Sequence, residues 1–326
     1  MTSHMFFTDW EGPWIVTDFA YELCLAIFNN ATFFEKLSRY DDYLAYEVKK
    51  EGYEAGDTLK LLIPFLIAAG VKNSEIEKIA ENVAVFVPNA KEAIQFLQQK
   101  YTPVVISTSY IQYLKKTASM INLKGQLYGT VVDFEKYTLE NDEKRDILKA
   151  IDKISSLNDS ELVPFLNEFF SDLKNKSAGK ILDEVKVVNG DMKKKIVVEH
   201  VENFGIENIL AIGDSISDYK MLDWVKKHGG LAVSFNGNEY ALKHSNVAII
   251  SDSAISEAIL IDLFLRKGFE KLREFEKLDD YPNHIRELFL KSNTKIYFLD
   301  EVNYKQILEE SINMRRKLRG SAALLG

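Results

Sequence analysis

The chain has 326 residues, 46% of them hydrophobic, which is enough for one large core with a further module beside it. A net charge of -8 and a pI near 5.4 exclude a protein whose main task is to neutralise nucleic-acid phosphates, because that task needs a basic face. The single cysteine, Cys24 in the apolar stretch AYELCLAIF, excludes an internal disulfide and points to a reducing compartment.

The start, MTSHMFFTDWEG, has no basic segment leading into an apolar run, so no signal peptide is expected and the cytoplasm is the expected location. Met5 to Phe7 then forms a short apolar run, expected as a buried strand, that ends at Asp9 and is followed by Glu11, Gly12 and Pro13. A carboxylate at the C-terminal end of such a strand opens into the crevice where open α/β sheets bind ligands. The i, i+2 spacing lets Asp9 and Glu11 share that mouth while Gly12 and Pro13 turn the chain away. One carboxylate suits attack on phosphorus and the other suits handling of the leaving-group proton, although an ordinary polar turn explains the segment equally well.

From Thr17 to Phe86 the patterns are helical (TFFEKLSRYDDYLAYEVKK, DTLKLLIPFLIAAG, NSEIEKIAENV). A simple βαβ crossover needs only about 30 residues, so this stretch is expected as an inserted helical cap. Its aromatic residues Phe28, Phe33, Phe34, Tyr40, Tyr43 and Tyr46 fall at helical spacing, which points to packing. Tyr53 and Asp57, in the loop-like GYEAGD, are the cap residues expected to touch substrate. Leu59 to Val71 is too short to span a bilayer and is interrupted by Pro64.

Val104 to Ile106 is the next expected strand, carrying Ser107, Thr108 and Ser109 to the sheet edge ahead of a helical pattern, YIQYLKKTASMI. Hydroxyls and free N–H groups there suit phosphate oxygens, but helix capping is the commoner use of such residues. A second helical excess lies between Asp133 and Val185. Beyond it NGDMKKKIVVEHVENFG opens a helix with Lys193, Lys194 and Lys195, where cations oppose the helix dipole unless an anion is near; a solvated charge run is the ordinary explanation. Ile209 to Ile212 is another expected strand, followed by IGDSISDYKML, in which Asp214 and Asp218 suit Mg²⁺. Leu231 to Val233 and Val247 to Ile250, separated by the helical stretches Tyr219 to His228 and Glu239 to His244, complete a strand-helix alternation. The fold class is therefore α/β with a Rossmann-like parallel sheet. Core residues are expected at 1–16 and 87–266 (with a helical insertion at about 134–184), the cap at 17–86, and a helical C-terminal extension at 267–326. The basic stretch Arg315, Arg316, Lys317 and Arg319 is expected to favour a helix C-terminus by its charge. The five histidines show no metal-ligand spacing.

In order along the chain, FFTDWEG, VVISTS, Lys193 and IGDSISD resemble the four signature motifs of the haloacid-dehalogenase superfamily, and the stretch GLAVSFNGNEYALKHSNVAII is similar to its phosphoserine-phosphatase and sugar-phosphatase branches. The resemblance implies a Mg²⁺-dependent phosphatase acting on a small phosphorylated metabolite. It makes Asp9 the nucleophile, and Glu11 the general acid/base whose backbone carbonyl is a metal ligand. Ser107 and the Thr108 amide would hold phosphoryl oxygens, and Lys193, by its distance to Phe204-Gly205, would neutralise the phosphoaspartate. Asp214 would ligate Mg²⁺ with Asp218 in support. Two departures stand out: Glu11 replaces the family's usual Asp, and Pro13 replaces a hydroxyl residue. TDWEGP with FAYEL, RYDDYLAYEV and GYEAGDTLKLLIPFL further resembles an archaeal group often labelled energy-converting hydrogenase A subunit R. The rival expectation is accordingly a weakly or non-catalytic subunit that binds a protein partner, such as a hydrogenase complex, through its helical additions. Neither nucleic-acid binding nor membrane insertion is expected.

Overall fold

The computed structural model describes residues 4–50, 53–54, 56–274, 277–299 and 303–320; parts of the expected cap loop and of the C-terminal extension lie outside these. Seven strands form one sheet: β1 (Met5–Thr8), β2 (Thr102–Tyr110), β3 (Gln126–Thr130), β4 (Leu210–Gly213), β5 (Leu231–Phe235), β6 (Val247–Ser251) and β7 (Thr294–Phe298). Their order is β3-β2-β1-β4-β5-β6-β7, parallel throughout except for β7, which runs antiparallel to β6.

The five expected strands are the interior ones. Alternate residues enter opposite layers: Phe6, Val105 and Ile212 pack toward helices Ala90–Leu97 and Ile255–Lys267, whereas Phe7, Val104 and Ala211 pack toward Gly190–Phe204 and Tyr219–Lys227. Both faces are covered, so these strands carry apolar runs without a polar side. The two edge strands were not anticipated. QLYGT and TKIYF are largely half-buried and mix polar with apolar residues, which hides them from a search for apolar runs. β7 also corrects the expectation of a purely helical C-terminal extension.

Residues 17–86 form helices Phe19–Phe28, Ala31–Asp42, Thr58–Ala68 and Asn73–Val83, with a π-helical turn at Tyr43–Glu47. The chain enters and leaves this layer through two segments held side by side, Val16 N–H donating to Val85 O at 2.8 Å and Val87 N–H to Trp14 O at 3.0 Å. The second helical excess, Asn141–Ser156, Asp159–Leu173 and Ser177–Glu184, packs onto the first. Phe65 stacks on Phe169 with ring centroids 5.5 Å apart, and Tyr40 donates to Asn167 at 2.7 Å. Two stretches distant in sequence thus share one apolar interior, where each fully buried Phe contributes about 1.5–3 kcal/mol.

The C-terminal helix Tyr304–Arg319 is seated on the sheet by Ile307 and Met314, which pack against Leu242, Ala248 and Ile250. Its position matters for the site. Among the described residues no helix is long and apolar enough to cross a membrane.

Candidate active site

β1 lies between β2 and β4, so the strand order reverses around it and a crevice opens at the strands' C-terminal ends. Asp9 sits at that mouth, its N–H donating to Ile212 O of β4 at 2.9 Å. Two fully buried indoles fix the turn that follows: Trp10 donates to Thr117 at 2.9 Å and Trp14 to Thr8 at 2.7 Å. Gly12 has φ +99°, and a Cβ there would collide with the Asp214 carboxylate, so glycine is required on both counts.

Lys193 is fully buried in the helix Gly190–Phe204 and ties two carboxylates together, at 2.9 Å from Asp9 Oδ2 and 2.7 Å from Asp218 Oδ1. It also donates to Ser217 Oγ at 3.1 Å. Lys194 and Lys195 are exposed on the same helix, Lys195 lying 3.8 Å from Glu199. The other oxygen of Asp218 accepts the N–H groups of Asp214 and Ser215, each at 3.0 Å. Asp218 therefore shapes the loop and holds the lysine. Burial works to remove the proton of Lys193, but the Asp218 and Asp9 carboxylates outweigh it and keep the ammonium charged. The Asp9 carboxyl is pushed well above the usual range by burial and then by Asp218, with Lys193 pulling against them.

The β2–β3 pairing shifts register between Ile106 and Tyr110, which releases Ser107, Thr108 and Ser109 toward the crevice. They do not cap the next helix, Ile111–Met120, whose N-cap is Tyr110 without a side-chain bond. Ser107 is buried and its Oγ accepts the Ser109 N–H at 3.2 Å, and the Ser109 hydroxyl donates to Glu11 Oε1. Thr108 Oγ1 is buried without a partner on the wall of the cavity. Burial, then the neighbouring Asp18, raises the Glu11 carboxyl to about 8, against the pull of Ser109 and Arg319. Both causes favour the protonated form of Glu11 near neutral pH.

Asp9, Glu11, Ser107, Thr108, Ser109, Asp214 and Ser217 line one cavity of about 140 Å³, with Lys193 and Asp218 buried behind Asp9 and outside its lining; the helical stretch 17–86 adds Ala20, Phe34, Asp41, Asp42, Gly56, Thr58 and Leu59 to its wall. The two expected substrate residues do not line it. Tyr53 donates its hydroxyl to Asp41 at 2.6 Å, and Asp57 accepts from Asn189 at 3.1 Å, the residue that caps the Lys193 helix. They brace the loop whose Gly56 and Thr58 face the cavity. Asp41 and Asp42 were missed, although two acids in the last turn of the helix Ala31–Asp42 oppose its dipole and so signal another use.

Arg315 and Arg319 were also misjudged. Their side chains are 2% and 6% exposed; Arg315 pairs with the Asp214 carboxylate, and Arg319 reaches the same oxygen, Oδ2, at 3.0 Å. They are part of the cavity wall and not merely charges at a helix end. Their i, i+4 spacing, continuing the buried positions Ile307 and Ser311, was the available signal.

Residues 64–263 match the model of a family described as haloacid dehalogenase-like hydrolase. This chain belongs to that family. The matched segment holds Ser107, Thr108, Lys193, Asp214 and Asp218, and the Asp9 turn precedes it. Of the solved structures, a gene product from Archaeoglobus fulgidus is 52% identical over 99% of each chain, with a TM-score of 0.90. A haloacid dehalogenase-like hydrolase from Salmonella enterica subsp. enterica serovar Typhi is 13% identical, over 74% of this chain and 65% of that one, with a TM-score of 0.48. A phospho-aspartyl intermediate analogue of phosphoserine phosphatase is 15% identical, over 76% and 93%, with a TM-score of 0.46. These last two are too distant in structure to bear on activity. No curated protein matches the chain.

Proposed function

We propose that this hydrolase is a phosphatase that removes the phosphoryl group of a small metabolite through a phosphoaspartate on Asp9. One observation carries the proposal: Asp9 meets the buried, charged Lys193 at a cavity whose wall presents the unpartnered hydroxyl of Thr108. An oxygen of Asp9 attacks phosphorus in line with the leaving oxygen, and that P–O bond breaks as Glu11 gives its proton to the departing alkoxide. Water then attacks phosphorus, the bond to Asp9 breaks, Glu11 takes back a proton, and inorganic phosphate leaves. Lys193 and the hydroxyls of Ser107 and Thr108 face charge on the equatorial oxygens, where catalysis of phosphoryl transfer is chiefly electrostatic.

The donor set suits a hard divalent cation such as Mg²⁺, because Asp9, Asp214 and Asp218 each bring one carboxylate oxygen to within 4.8 Å of the others. With Asp218 engaged by Lys193 and two amides, Asp9 and Asp214 are the side chains to hold the ion, with the Glu11 carbonyl as a third donor. Such an ion would supply positive charge to the phosphoryl oxygens and to Asp9. The cavity is small, which favours a compact leaving group, and Asp41 and Asp42 favour one bearing a hydroxyl or cationic group.

Hydrolysis of a generic aryl phosphate, with and without Mg²⁺, tests the proposal, with detection of phosphorylated Asp9 after rapid quench. Magnesium-dependent turnover that requires Asp9 is expected. No turnover of the aryl phosphate or of a metabolite panel would instead favour a fold-bearing subunit that docks a protein partner.

A further inference from the structure

The Asp214 carboxylate is shared between two uses. It faces Asp9 across the cation site, yet its Oδ2 accepts from both Arg315 and Arg319, and Arg315 also donates to the Asp214 backbone O at 3.3 Å. Arg319 is held further by Val16 O at 3.2 Å and lies 3.9 Å from Asp18. Both guanidiniums come from the last turns of the C-terminal helix, which is anchored independently by Ile307 and Met314 and by Ser311 donating to Gly237 O at 2.7 Å. The arginines are therefore set in place by the packing of a separate element.

A carboxylate oxygen has two lone pairs, and two charge-assisted bonds use them. An ion at Asp9 and Asp214 must approach a carboxylate oxygen to about 2.0–2.1 Å if it is Mg²⁺. That places a dication beside two buried cations, in surroundings that screen their repulsion poorly. The arginines hold Oδ2, so the ion either takes Oδ1 against their repulsion or displaces them from Oδ2, and in both cases they oppose it.

We propose that Arg315 and Arg319 compete with the divalent cation for Asp214, so that the seating of the C-terminal helix sets the cation affinity of the site. The proposal rests on the cation site inferred above. By linkage, whatever the arginines take from cation affinity, the bound cation takes from the docking of the helix.

Two measurements test it without reference to turnover. The first is Mn²⁺ affinity, by calorimetry and by the electron paramagnetic resonance of free Mn²⁺, for the full chain and for Arg319→Gln, with Arg316→Gln as an exposed control and Asp214→Asn as a site control. Arg319→Gln should bind more tightly by about 5- to 150-fold, the usual span of coupling between two bound groups, while Arg316→Gln matches the parent. The second is hydrogen exchange of the unaltered chain, which needs no variant to fold: Mn²⁺ should speed exchange across Tyr304–Arg319. Unchanged or weaker binding by Arg319→Gln, or slower exchange with the cation, would mean that the arginines support Asp214 as a ligand and would overturn the proposal. Asp214-dependent binding with no gain in Arg319→Gln defeats this inference alone. Absence of binding in the parent and in Arg319→Gln defeats the cation site itself, and the inference with it.

Discussion

Two basic runs flank the site, and the fold uses them differently. In Lys193–Lys195 one side chain of three turns inward and finds Asp9 and Asp218, while its neighbours stay in solvent. In the run from Arg315 to Arg319, two side chains four positions apart turn inward and both find Asp214, while Arg316 and Lys317 remain exposed. Charge content is similar in the two runs. What separates them is helical phase and the identity of the acid opposite, because a cation is tolerated in the interior only against a paired anion. The lysine faces the carboxylate that would react, and the arginines face the one that would hold an ion.

The largest expected effect is on the reacting carboxylate. Asp9→Asn should lower turnover by on the order of 10⁵-fold or more, as loss of a nucleophile does, with little change in melting temperature, since Lys193 keeps Asp218. Near-parental turnover would remove Asp9 from the nucleophile role. Next comes the inward lysine. Lys193→Met should remove most activity and also destabilise by about 3–5 kcal/mol, because it leaves two buried carboxylates without their cation, whereas Lys194→Met should leave both quantities as they are. Urea unfolding and kcat, measured together, would break the contrast within this run if the two variants behaved alike.

A smaller effect is expected in the cap. Asp57 accepts from Asn189, the N-cap of the Lys193 helix, and from the Glu54 N–H, and does not line the cavity, so Asp57→Ala should cost about 1–3 kcal/mol of stability, the worth of two hydrogen bonds. Any accompanying loss in kcat/KM should be the same for an aryl phosphate and for the best metabolite substrate. A selective loss on the metabolite would return Asp57 to the role of substrate contact.

The smallest effect concerns Glu257, a second buried charge site near Asp214. Both its carboxylate oxygens lack a hydrogen-bond partner, and burial, followed by Asp214, pushes its carboxyl well above the usual range. An acid whose folded pKa is raised binds a proton more tightly in the folded state, so its contribution to stability is present at low pH and is lost as pH rises above about 4.3, the unfolded value. Glu257→Gln should flatten the fall of melting temperature between pH 5 and pH 8 and be at least as stable as the parent at pH 8. A steeper fall would show that the carboxylate is ionised and paired.

Much of the molecule was legible along the chain. Each interior strand announces itself as an apolar run, because both faces of a covered parallel sheet are buried; Asp9 and Asp214 follow such strands, Ser107 lies in the C-terminal part of one, and Lys193 lies in the first turn of a helix. Edge strands β3 and β7 were not legible, since a half-covered strand has no such signature. Among site residues, those missed or misplaced belong to helices and loops that reach the crevice from elsewhere: Asp41 and Asp42 from the cap, Asp57 turned to Asn189, and the two arginines from the far end of the chain.

By itself, then, the sequence determined the α/β class, the helical insert after the first strand and the order of the chemical groups along the sheet edge. These follow from local periodicity and from the rule that strand ends line the crevice. Only the tertiary structure decided that the two helical excesses share one apolar interior and that Arg315 and Arg319 close on Asp214, and it gave the chosen Lys193 its two carboxylate partners. Those outcomes depend on packing between segments more than a hundred positions apart, 101 for Arg315 with Asp214 and 303 for Arg319 with Val16; helical spacing can mark an inward face but does not name the residue that face meets.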